Sequence, residues 1–159
     1  MEINVTLSTQ TLELRENNLV IARYEISSAL AGASEVDGSF GTPRGSHIIR
    51  AKIGSGCPKC AVFVGRRPTG EIYTPELGMA FPDRDWILSR ILWLSGTEVG
   101  KNRLGKVDTM RRYIYIHGAP DEFAFGIAGS HGCLRMRNDD VIALFDQILV
   151  GTRVQISES

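Results

Sequence analysis

The sequence predicts a mainly β, single-domain protein with long loops and one helix in its C-terminal third. Three observations carry that prediction. Apolar residues alternate with polar ones through the first third, in the manner of half-buried strands. A β-rich run, Tyr113-Ile114-Tyr115-Ile116, stops at His117-Gly118. Beyond Asn138 the apolar spacing changes to the helical period, with Val141, Ile142, Leu144, Phe145, Ile148 and Leu149 on one stripe. A chain of 159 residues with 43% hydrophobic content builds one good core and is short for two.

In chain order, Ile3, Val5 and Leu7 share a face, followed by Leu12 with Leu14, and Leu19 with Ile21. Ser8-Thr9-Gln10 and Glu16-Asn17-Asn18 separate these runs, the asparagines tolerating positive φ. The reading is a strand, a hairpin and a third strand reaching Ser27. From Ala31 to Gly45 the chain is rich in small residues without period, a long loop ending at Thr42-Pro43-Arg44-Gly45. His47 to Ile53 returns to strand alternation, and Gly54 to Cys60 loops into Ala61-Val62-Phe63-Val64. Residues 65 to 85 read as an excursion over the surface. Trp86 to Leu94 fits helix or strand equally by period. Asn138 is the expected N-cap, with Asp139 and Asp140 in the first turn. The helix ends near Val150-Gly151, and Thr152 to Ile156 closes the chain as a strand.

Eighteen basic and eighteen acidic side chains cancel, and no run of like charge stands out. Electrostatic capture of nucleic acid or of an anionic membrane is therefore not expected. Arg111-Arg112, the nearest thing to a basic cluster, reads as a solvated strand entry. No stretch approaches the ~18 apolar residues of a membrane helix. The N-terminus has an acid at position 2 and no basic segment followed by an apolar one. With Met1 as the native start, a cytoplasmic location is expected; removal of a signal peptide would imply a periplasmic one.

Chemistry concentrates at Ser130-His131-Gly132-Cys133, a loop sixteen residues beyond His117 and just before the expected helix. A thiol near its reference pKa is mostly protonated at neutral pH and needs a base. His117, at a strand end, is the better candidate, with the Gly118 carbonyl available to hold its other ring nitrogen. Partial positive charge at the helix mouth would favour the thiolate. On residue types alone, a buried structural cysteine competes with this reading. Cys57-Pro58-Lys59-Cys60 supplies two potential metal ligands, but no second pair follows, so reduced loop cysteines are expected, with neither metal nor cofactor.

The segment YIYIHGAPDEFAFGIAGSHGCLRMRNDDVIALFDQILVGTRVQI resembles the catalytic segment of the YkuD-type L,D-transpeptidases. The resembling positions are His117, Gly118, Ser130, His131, Gly132, Cys133, Leu134, Arg135 and Asn138, with Gly151-Thr152 and its strand similar to the family's end. Upstream the likeness runs through Thr42-Pro43-Arg44-Gly45 to the early hairpin, nearly the whole chain. Residues 54 to 111 match only the family's variable, lid-bearing region. The resemblance implies a β-sandwich-like fold with mixed sheets and a strand at Trp86 to Leu94.

It also implies that Cys133 attacks the carbonyl joining the third stem residue of peptidoglycan to D-Ala, with His117 as base and then acid. Backbone N–H groups of Gly132 and Cys133 would hold the oxyanion. His131 accompanies the nucleophile and holds its loop by hydrogen bonds. Arg135 fixes that loop or meets a substrate carboxylate, and Ser130 and Asn138 contact substrate or fix the loop. Phe123 and Phe125 line the acyl pocket or pack beneath the loop. Stem tetrapeptides or muropeptides are the implied partners. Among short members without a signal peptide, the implied activity is an L,D-carboxypeptidase of wall recycling. The alternatives are an L,D-transpeptidase making crosslinks or exchanging D-amino acids, and a non-catalytic peptidoglycan-binding module.

Overall fold

The computed structural model describes residues 1–159. Ten strands form one mixed sheet that curls upon itself, with two short helices outside the sheet. β1 (Glu2–Thr6), β2 (Thr11–Glu16) and β3 (Leu19–Ser27) make the expected meander. Asn17 and Asn18 both have positive φ, 52° and 65°, the two-residue turn whose twist suits a hairpin. After the long loop come β4 (Gly45–Ile53), β5 (Ala61–Val64), β6 (Arg67–Ile72), α1 (Pro75–Ala80) and β7 (Ile87–Gly96). β8 (Tyr115–Gly118), β9 (Leu134–Met136), α2 (Asn138–Gln147) and β10 (Arg153–Ser157) complete the chain.

Strand order is β4-β10-β1-β2-β3-β9-β8-β7-β5-β6, and β4 also pairs with β7. That extra pairing joins the two faces of the sandwich and closes eight strands into a ring, with the β5–β6 hairpin attached outside it. Parallel pairing occurs at β1 with β10 and at β8 with β9; the other ladders are antiparallel. Inside lies a cluster of eighteen buried apolar residues. Ile3 and Val5, Leu12 and Leu14, and Val154 and Ile156 enter it from alternate positions of their strands, as the period of two requires. Val141, Leu144 and Phe145 of α2, with Ile148 just beyond its end, bring the apolar stripe against it. No helix is long and apolar enough to cross a membrane.

Four local expectations change. The strand before His117 begins at Tyr115, because Tyr113 adopts φ 56° and cannot continue a ladder. The surface excursion at residues 65 to 85 contains β6, which pairs back on β5 as a hairpin, and α1, whose N-cap is Thr74. Arg137, not Asn138, is the N-cap residue of α2, and Asn138 turns its amide inward. α2 also stops at Gln147, short of Val150.

Candidate active site

β8 and β9 lie side by side in parallel, so His117 is paired with Arg135, two residues beyond Cys133. That pairing brings two residues distant in sequence to one cleft of about 540 Å³, lined among others by Cys133, His117, His131, Ser130, Arg135, Arg112, Arg66 and Asp85. The His117 ring is buried, and its Nδ1 lies 2.7 Å from the Gly118 carbonyl. A carbonyl can only accept, so Nδ1 carries the proton and Nε2 keeps its lone pair. Residue 118 must be glycine here: a Cβ would stand 2.5 Å from the Leu88 carbonyl and 2.7 Å from Asn138 Oδ1.

Cys133 is half-buried, lining the cleft and held against the backbone of Tyr113 and Tyr115. Its Sγ accepts from Tyr115 N–H at 3.3 Å and donates to the Tyr113 carbonyl at 3.4 Å. Burial pushes the thiol up to about 12, opposed by the Tyr115 N–H and reinforced by the charge of Asp85. Burial likewise holds His117 below its ordinary value. Desolvation disfavours whichever form is charged, so the resting pair is a neutral thiol beside a neutral imidazole. The thiol proton points to a carbonyl rather than to the imidazole, and rotation about Cβ–Sγ is the motion that redirects it.

The loop before Cys133 is held by hydroxyls. Ser130 Oγ donates to the Cys133 carbonyl at 2.5 Å and accepts from Gly132 N–H at 3.2 Å. Thr42, wholly buried, donates to the Gly132 carbonyl at 2.9 Å while accepting from Ala29 N–H at 3.0 Å. Gly132 has φ 132°, and a Cβ there would meet Ile114 Cδ1 at 3.1 Å and the Gly41 carbonyl at 3.3 Å.

The L,D-transpeptidase catalytic domain family, YkuD, matches residues 1–156. The chain belongs to this family. A probable L,D-transpeptidase, ErfK/SrfK, of Salmonella typhimurium is 53% identical over 45 residues, 28% of this chain and 15% of that protein. The putative L,D-transpeptidase YqjB of Bacillus subtilis is 51% identical over 43 residues, 27% of this chain and 24% of that protein. The matches thus span a minor part of these curated relatives. Among solved structures, L,D-transpeptidase 3 of Mycobacterium tuberculosis with a faropenem-derived adduct superposes with a TM-score of 0.59 at 16% identity, over 98% of this chain and 59% of that one. An Enterococcus faecium L,D-transpeptidase carrying a cysteine-to-serine mutation gives 0.59 at 17% identity, over 98% and 49%. These likenesses show the L,D-transpeptidase fold.

Within this L,D-transpeptidase domain several expected site residues stand differently from their sequence reading. Cys133 is separated from α2 by the whole of β9, so the helix terminus lends no help to a thiolate. The Gly132 N–H, expected to hold the oxyanion, is already engaged by Ser130, whereas the Cys133 N–H has no protein acceptor. His131 is exposed, lies edge-on to Phe40 with ring centroids 6.1 Å apart, and makes no hydrogen bond. Ser130 and Thr42 do the loop-fixing expected of His131.

Arg135 donates to the Gly129 carbonyl at 3.1 Å, packs over Phe123 and still lines the cleft. Phe123 and Phe125 lie beneath Arg135 and Arg137 and line no part of the cleft. Asn138, fully buried, accepts from Ser89 Oγ at 2.6 Å and donates to the Ala119 carbonyl at 2.9 Å and to Asp121 at 3.0 Å. It ties α2 to β7 and to the turn after His117, and it lines no part of the cleft. Ser89 also accepts from Cys60 N–H at 2.9 Å, so the Cys57–Cys60 loop hangs on the same network, both thiols free.

The sequence reading missed Arg112, Arg66 and Asp85. Arg112 is no solvated entry: half-buried, it donates to the carbonyls of Ser34 and Gly41 at 3.0 and 2.7 Å from the wall of the cleft. Arg66 sits at the tip of the β5–β6 turn, where Gly65 and Arg66 both have positive φ, 56° and 64°. The turn aims its guanidinium over Trp93 and Tyr113, 4.5 and 4.9 Å from the ring centroids, and onto Tyr115 Oη at 2.9 Å. No local motif marks these residues, and only the Gly65-Arg66 turn left a signal in the sequence.

Proposed function

We propose that this domain is a cysteine-dependent acyltransferase acting on peptidoglycan stem tetrapeptides, with Cys133 as nucleophile and His117 as general base and acid. The observation that supports it is the shared cleft: a thiol and an imidazole whose Nδ1–H is fixed on Gly118 and whose Nε2 is free. The Cys133 proton passes to Nε2 as Sγ attacks the carbonyl between the third residue and D-Ala. The Cys133 N–H meets the developing oxyanion, an interaction worth about 3 kcal/mol. Collapse breaks the C–N bond, Nε2–H protonates the departing amine, and a thioester remains.

Arg66, Arg112 and Arg135 reach this cleft without a carboxylate partner. A stem peptide is rich in carboxylates, so its charge complements theirs. The acceptor favoured here is an amine, which makes the overall reaction transpeptidation or D-amino acid exchange. Family membership and the names of the relatives support that choice over hydrolysis.

Product analysis by mass spectrometry, with tetrapeptide alone and with added D-methionine, tests the reading. Loss of D-Ala with an acyl adduct on Cys133, absent in Cys133→Ala, is expected. Tripeptide as the sole product in the presence of amine would return the assignment to L,D-carboxypeptidase. No D-Ala release and no carbapenem adduct on Cys133 would leave only a binding module.

A further inference from the structure

Asp85 is the one carboxylate lining the catalytic cleft, and it is exposed with no hydrogen bond or ion pair. Its neighbours are fixed. Arg84 forks onto Glu71 at 2.9 and 3.1 Å and lies over the Trp86 ring at 4.3 Å, while Trp86 is buried against Tyr73. The backbone at residue 85 is therefore anchored on both sides while its side chain serves no structural contact. The three guanidiniums of the cleft are held elsewhere: Arg66 on Tyr115, Arg112 on two carbonyls and Arg135 on Gly129. An unpaired anion on an anchored stretch of backbone, in a cleft otherwise cationic, is placed for a cation that arrives with a ligand.

The sign of its field says which ligand. Negative charge at residue 85 raises the Cys133 thiol, disfavouring a second anion in the cleft. It favours positive charge beside His117. A cleft carboxylate with no partner in the protein is matched by the second half-reaction, where a cation enters.

We propose that Asp85 is the docking group for the ammonium of the acyl acceptor, and thereby sets the partition of the thioester between amine and water. The inference rests on the acyltransferase reading above. An amine acceptor reaches the cleft as R–NH3+ at neutral pH. One proton leaves to solvent, and the lone pair so exposed attacks the thioester carbonyl carbon. The C–S bond breaks, a second proton passes by way of His117 to Sγ, and the amide keeps the third. Water carries no charge, so Asp85 gives it no advantage.

The test is partition at fixed tetrapeptide and rising D-methionine, counting exchanged tetrapeptide against tripeptide for the wild-type protein, Asp85→Asn and Asp85→Glu. The expected result is at least a ~10-fold rise in the D-methionine concentration giving equal products for Asp85→Asn, as loss of one charge-assisted contact implies. Glu should restore most of it. An unchanged partition in Asp85→Asn overturns the proposal. So does a fall in D-Ala release at constant partition, which would place Asp85 against the donor peptide. Absence of D-Ala release from the wild-type protein removes the acyltransferase reading itself, an outcome distinct from both.

Discussion

His117 and Cys133 are neutral partners, and their chemistry follows from that. A buried imidazole held below its ordinary value stays an available base at pH values where an exposed histidine would already be protonated. The acid limb of kcat/KM for D-Ala release is therefore expected below pH 6.5, while the raised thiol makes the rate climb toward alkaline pH. An acid limb above that value would mean that burial does not hold His117 below its ordinary value. His117→Gln keeps the ring's volume only in part and cannot take the proton. A loss of about 100-fold or more in kcat/KM is expected, with the thermal transition little changed. The motif around Cys133 made this pair legible in the sequence. The roles of His131 and Gly132 were not, because both depend on which neighbour reaches the loop first, and Ser130 and Thr42 do.

Among elements, β8 and β9 matter most, since their parallel register sets Cys133 against His117. Neither strand is long enough to fix that register alone. Asn138 supplies the tie, joining α2, β7 and the turn after β8 through three hydrogen bonds. Asn138→Ala would strand Ser89 Oγ and the Ala119 carbonyl in a dry interior. A destabilisation of about 2–4 kcal/mol is expected in denaturant melts, larger than the loss of a helix cap, which is typically ~1 kcal/mol. A cost of only cap size would mean that water replaces the amide. The sequence reading took the residue for a helix cap and the structure makes it a buried bridge: both duties demand the same short polar side chain. The strand at Ile87–Gly96 was likewise ambiguous by period, because buried on both sides it carries apolar residues at consecutive positions.

For the whole molecule, closure of the ring places His47 of β4 between β10 and β7, where nothing of its side chain is exposed. Nδ1–H donates to the Gly45 carbonyl and Nε2 faces Thr109 Oγ1, both at 3.0 Å. Burial pushes this imidazole down from 6.5 to about 4. The native state thus resists a proton that the unfolded chain accepts. Its contribution to stability is complete above pH 6.5 and is lost as pH falls from there toward 4, about 3 kcal/mol in all. His117 acts in the same direction, so the comparison is with a variant: stability of His47→Gln should fall less steeply over that range in urea titrations. Parallel pH dependences would remove His47 as a contributor.

Sequence alone determined the strand meander, the helical stripe of α2, the Ser130–Cys133 loop as the candidate site and the family to which the chain belongs. These rest on short-range rules: alternation, turn chemistry and a motif of scarce residue types in fixed order. Only the tertiary structure decided that the sheet closes through β4 and β7, that Arg66, Asp85 and Arg112 share a cleft with Cys133, and that Asn138 faces inward. Such facts join segments tens of residues apart, and they depend on register and burial, which no local pattern of side chains encodes.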